Sequence, residues 1–66
     1  MKNQIYLYMV AQQARYIHWT TREIANEFNL DVYQTRYYLL RLYQDGKVVK
    51  TGAGRGAPVY WSLGLP

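Results

Sequence analysis

An α+β fold, helices first and a hairpin last, is predicted by three features of this 66-residue chain. Two helix-start signals stand eleven residues apart, at Thr20-Thr21-Arg22-Glu23 and at Asp31-Val32-Tyr33-Gln34. Each reads as a capping box: the first side-chain oxygen accepts from the third helical N–H, while Glu23 or Gln34 reaches back. Asn29-Leu30 makes a tight break between them. After the second of these helices come Asp45-Gly46 and two alternating runs, Lys47–Thr51 and Val59–Leu63, joined by a basic glycine-rich link. Helix, short turn, helix, then a hairpin with a positively charged tip is the order of a winged helix-turn-helix, here one domain over residues 1–66.

The first helix is expected over about 3–15, where Ile5, Tyr8, Met9 and Gln12 recur at helical spacing without Gly or Pro. Leu7, Val10 and Ala14 broaden its apolar surface. Tyr16-Ile17-His18-Trp19 is β-branched and aromatic and suits a short extended segment, a candidate third strand for the hairpin. The second helix, 21–28, sets Ile24, small Ala25 and Phe28 on one side. The third, 32–45, divides at 100° per residue into a buried stripe of Val32, Thr35, Leu39 and Leu42, flanked by Tyr38 and Tyr43, and an outer face. Gly46 suits a left-handed C-cap. In the hairpin Val48, Val59, Trp61 and Leu63 alternate inward. Leu39, Leu42, Ile24, Phe28, Val48 and Trp61 are the expected core.

Composition narrows the class. A domain this small buries only about 60% of its unfolded-chain surface. Without cysteine it has neither a disulfide staple nor a Cys-based metal site. Eight Tyr, two Trp and one Phe must supply bulk instead. No apolar run approaches the ~20 residues of a membrane span, and the opening Met1-Lys2-Asn3-Gln4 begins no secretory signal, so a soluble cytoplasmic protein is expected. Catalysis has little to stand on: His18 is the sole histidine, Ser62 has no evident base near it, and the four carboxylates mostly serve helix termini. The expectation is a protein without enzyme activity, metal, cofactor or small-molecule ligand.

Placement of charge says more than the net +4. Residues 1–35 balance Lys2, Arg15 and Arg22 against Glu23, Glu27 and Asp31, whereas residues 36–66 set Arg36, Arg41, Lys47, Lys50 and Arg55 against Asp45 alone. The whole excess falls on the third helix and hairpin, which points to an anionic polymer. A plainer reading has Lys47 and Lys50 guarding an edge strand. The outer face of the third helix carries Tyr33, Gln34, Tyr37, Arg41 and Gln44, with no acid before Asp45. Gln can bond an adenine edge, Arg a guanine edge, and Tyr can reach phosphate or pack on a thymine methyl. Tyr33, Gln34, Arg36 and Tyr37 are therefore expected to read bases in the major groove of double-stranded DNA. Thr21, Arg22, Arg41, Lys47 and Lys50 are expected to touch phosphate, with Thr21 and Arg22 at a helix N-terminus that favours anions. Residues 52–58 hold three Gly, Arg55 and Pro58, longer than a structural hairpin needs, which suits Arg55 to a narrow minor groove. A phosphate loop of nucleotide-binding type is disfavoured, because no helix follows these glycines. The rival from another class is a protein-interaction module docking through Tyr33, Tyr37 and Leu40.

Thr21-Arg22-Glu23-Ile24-Ala25, Tyr33–Leu42, Asp45-Gly46-Lys47-Val48 and Gly54–Leu63 resemble the small winged-helix regulators of enterobacterial fimbrial operons, the FaeA/PapI-like group. The stretch Thr20–Leu63 carries the resemblance, and Ile5–Ala14 is also similar to regulators of the CaiF/GrlA kind. The resemblance implies a bacterial or plasmid-borne transcription factor that acts beside a larger, leucine-responsive DNA-binding regulator. Self-association through the first helix, by way of Ile5, Leu7, Tyr8, Met9 and Val10, is another route to a doubled contact. Z-alpha domains, which bind left-handed duplexes, share the small winged fold, a wing proline and a tryptophan. Arg36 and Leu40 stand where their Asn and Tyr would be, which counts against that specificity.

Overall fold

The computed structural model describes residues 1–52 and 58–64. Its helices are α1 (Lys2–Gln12), α2 (Thr21–Phe28) and α3 (Val32–Gln44), and its strands are β1 (Trp19–Thr20), β2 (Val48–Thr51) and β3 (Tyr60–Leu63). The strands make one antiparallel sheet in the order β1-β3-β2. This is the expected winged helix-turn-helix order, with the third short strand formed from the end of the Tyr16–Trp19 segment and Thr20.

Local chemistry explains the helix boundaries. At α2 the capping box is complete: Thr20 Oγ1 accepts from the Glu23 N–H at 3.1 Å, and the Glu23 carboxylate accepts from the Thr20 N–H at 3.0 Å. At α3 only half of the expected box forms. Asp31 Oδ1 accepts from the Gln34 N–H at 2.7 Å, and the Thr35 hydroxyl donates to the Asp31 carbonyl at 2.9 Å. Among the described residues the Gln34 side-chain amide makes no return bond, which leaves it on the outer face with its donors and acceptor unspent.

Both helices end in the same way. Asn29 takes a left-handed φ of 55°, and the Leu30 N–H donates to the Ala25 carbonyl at 2.9 Å. Gly46 takes a φ of 78°, and the Lys47 N–H donates to the Leu42 carbonyl at 3.0 Å. Each is a Schellman closure, in which one left-handed residue lets the chain reverse while the last carbonyls stay paired. The first helix stops three residues short of the expectation, at Gln12. Arg15 and Gln13 donate to carbonyls three residues back, at 2.9 and 3.3 Å, because the chain must tighten and turn here to bring Trp19 alongside Trp61.

The core is one cluster of Ile5, Met9, Trp19, Ile24, Leu39, Leu42, Val48 and Trp61. Trp61 sits at its centre, on the middle strand, paired in register with Trp19 on one side and Lys50 on the other. Burying one indole removes roughly 150–250 Å² from water, at most about 4–6 kcal/mol by area. Trp19 joins the core although its segment showed only an extended pattern, and its indole N–H is buried without a partner. Phe28, expected inside, is half-buried, edge-on to the Tyr8 ring at 5.6 Å. Tyr43, expected beside the buried stripe, is exposed and lies under the Lys50 ammonium, 5.7 Å from the ring centre. Ile5 and Met9 are fully buried within the chain's own core, so of the apolar residues that suggested a self-association face only Leu7, 62% exposed, is fully displayed.

One ion pair ties the ends of the helical layer: Lys2 Nζ donates to Asp45 Oδ2 at 2.7 Å. That bond holds the Asp45 carboxyl below the usual carboxylate range, with Lys47 and Arg41 adding smaller attraction.

Two outcomes follow from this packing. Leu39→Ala is expected to cost about 2–5 kcal/mol in urea denaturation, since it hollows a site with no exposure and no room to collapse. Lys2→Gln is expected to move the Asp45 titration, followed by carboxyl NMR, upward toward the ordinary carboxylate range. Because the folded pKa is depressed, the pair's contribution is present above the unfolded pKa and lost as pH falls through the folded one. The variant's stability should therefore depend less on pH across that acidic window.

Candidate nucleic-acid interface

The outer face of α3 is built by the same 3.6-residue period that builds its buried stripe. With Thr35, Leu39 and Leu42 inward, Tyr33, Gln34, Arg36, Tyr37, Arg41 and Gln44 are all exposed. Tyr33 is 85% and Tyr37 57% exposed, one turn apart at the middle of this face. Two aromatic rings in water are costly unless they meet a partner. Thirteen residues make a rod about 20 Å long and about 10–12 Å across, a size that a major groove about 12 Å wide admits.

Sheet register decides where the lysines go. Directly opposed residues share a face, so Lys50, opposite Trp61, lies on the helix side of the sheet, at its β2 edge. Its ammonium accordingly stands over Tyr43 of α3. A cleft of about 180 Å³ opens there, lined by Thr21, Val32, Arg36, Lys50, Val59 and Trp61. Three expected contact residues from three elements thus meet in one place: Thr21 at the start of α2, Arg36 on α3 and Lys50 on β2. Trp61 Nε1 donates to Thr21 Oγ1 at 2.8 Å across the cleft floor.

Not every expected residue joins this group. Lys47 lies over the Tyr6 ring of α1, 5.2 Å from its centre, and lines a separate groove with Tyr6, Val10, Gln13 and Leu63. Arg22 is exposed in the first turn of α2, and Arg41 is exposed in the last turn of α3. Arg55 lies outside the described residues. Leu40, named for the rival docking patch, is half-buried and packed against the core, which removes the aliphatic member of that patch. Burial raises the Tyr8 pKa, and the nearby charges of Glu27 and Glu23 raise it further. Sequence reasoning missed the Thr21–Trp61 contact, because nothing in a linear pattern pairs residues forty apart.

The His18 ring packs at a tilt against Tyr60, with ring centres 4.5 Å apart. Among the described residues no group of three or more His, Asp or Glu side chains gathers in a way that could hold a metal ion. No described helix is long and apolar enough to cross a membrane.

The fold is a winged helix-turn-helix, and the outer face of α3 displays tyrosines, glutamines and arginines. The FaeA-like protein family matches residues 1–64. The major pilus subunit operon regulatory protein of Escherichia coli is 38% identical over 63 residues, covering 96% of this chain and 77% of that one. The P fimbrial regulatory protein KS71A of the same organism shows the same identity and coverage. The F1845 fimbrial adhesin operon regulatory protein DaaF, also from E. coli, is 35% identical over 43 residues, 65% of this chain and 57% of its own. The chain belongs to the FaeA-like family, a membership that the motifs at 21–25, 33–42 and 54–63 had suggested.

The strands on either side of the wing tip depend on Gly52. Its φ is +84°, and a Cβ there would strike the Pro58 carbonyl oxygen. Gly52→Ala is expected to destabilise the protein by more than about 1 kcal/mol. Thermal unfolding would measure the loss, and amide exchange at Val49 and Ser62 would place it in the hairpin rather than the helices.

Proposed function

We propose that this chain is a sequence-specific, double-stranded DNA-binding regulator of transcription, acting on an operon of the fimbrial kind that its relatives are named for. The observation that carries the reading is the acid-free outer face of α3 alongside Lys50 and the wing. Tyr33, Gln34 and Tyr37 face the base edges of the major groove. Arg41, Arg22, Thr21 and Lys50 meet the flanking phosphates, and Lys47 adds charge from the α1 side. Segment 52–58, with Arg55, follows the adjacent minor groove or backbone. The protein works by equilibrium binding rather than catalysis, in the cytoplasm. Contact area from one small module is limited, so a larger DNA-binding regulator or a second copy supplies the remaining grip.

Selection of bound sequences from a random duplex pool, with affinity then measured against salt, tests this directly. An enriched motif and a steep loss of affinity with salt are expected. A flat salt response and no motif would favour docking to protein through Tyr33 and Tyr37. Within the enriched motif, Gln34→Ala should relax preference at one position by about 1–3 kcal/mol. Lys50→Ala should weaken all sequences alike and reduce the salt slope by about one.

A further inference from the structure

Trp61 is only 1% exposed, and its ring would serve the core equally well without a polar contact. Trp19 shows as much: it is buried beside Trp61 with its indole N–H unpaired. Yet the Trp61 N–H is spent on Thr21 Oγ1, at 2.8 Å. An indole N–H can only donate, so the Thr21 oxygen must accept, and its own proton is left to donate elsewhere. Among the described residues it donates to no other group. That proton shares a cleft with Arg36 and Lys50, and no carboxylate lines the cleft. An arginine, a lysine and a hydroxyl donor that border one small cleft can together supply a donor set for a tetrahedral oxyanion.

We infer that Thr21, Arg36 and Lys50 grip one phosphate of the DNA backbone between α3 and the wing, and that Trp61 is the positioning residue that aims the Thr21 hydroxyl at it. The inference rests on the duplex-binding reading above. It moves Arg36 from reading bases to clamping the backbone, since Arg36 borders the cleft that Thr21 and Lys50 also line. Register of the helix in the groove then depends on a contact that starts in the hydrophobic core.

The test uses a duplex recovered from the random pool, with each backbone phosphate replaced in turn by a neutral methylphosphonate. For the natural chain, one replacement is expected to weaken binding by about ten-fold or more. Thr21→Val and Trp61→Phe should each blunt the penalty at that one phosphate to under about two-fold while leaving the penalties at the others intact, as expected for directly coupled groups. Thr21→Ser, which keeps the hydroxyl, should behave as the natural chain. The Trp61 indole N–H resonance, followed in the folded protein, should shift and exchange faster in Thr21→Val, a readout that does not require Trp61→Phe to fold. Equal weakening at every phosphate in Thr21→Val and Trp61→Phe would reduce Trp61 to packing and overturn the inference alone. A natural chain without salt-sensitive duplex affinity would remove the duplex reading, and this assignment with it.

Discussion

Trp61 ties the sheet of this small molecule to its helices. It lies on the middle strand, in register with Trp19 of β1 and Lys50 of β2, with its ring buried against the helices and its N–H bonded to Thr21. Without it the wing would be a two-stranded hairpin, and such hairpins are marginally stable in water on their own. The indole gives that hairpin a hydrophobic face to pack on, and its N–H fixes the sheet to the first turn of α2. The hairpin is thus placed relative to α3 by the core itself.

The second constraint is the geometry of chain reversal. Two left-handed residues, Asn29 and Gly46, end α2 and α3 with the same pair of backbone bonds. The first leaves only Leu30 and the Asp31 cap before α3 begins, so the angle between the helices is set by a very short connection. The second sends the chain directly into β2. Between these reversals every exposed position of α3 is decided by its period, because Thr35, Leu39 and Leu42 admit one orientation of the helix. A half-turn rotation would bury Arg41 and Gln34 and expose three core residues.

Charge is arranged on top of this frame. Arg36 and Lys50 border one cleft beside α3, while Glu23 and Glu27 lie near Tyr8. The Lys2–Asp45 pair neutralises the acid at the end of α3. Lys50 also suits its place in the sheet, since β2 is an edge strand and a lysine on an edge discourages pairing with another chain.

The order of elements, both helix starts, both helix stops and most of the core were legible in the residues alone. Each rests on short-range chemistry: a cap three residues from its N–H, a left-handed residue at a stop, a period of 3.6 or of 2. The outer face of α3 was legible for the same reason, down to its exposed tyrosines. What the linear pattern could not decide were matters of long-range register. The burial of Trp19, the exposure of Tyr43, the early end of α1, the separation of Lys47 from Lys50 and the bond from Trp61 to Thr21 all depend on how the sheet docks on the helices. Lys47 and Lys50 look equivalent in the sequence, three residues apart, yet one lies over α1 and the other over α3. Local periodicity determines which face of an element is apolar, whereas only the pairing of β3 with both neighbours determines which side chains from distant segments meet, because that pairing is set by the packing of the whole core rather than by any one segment's own preference.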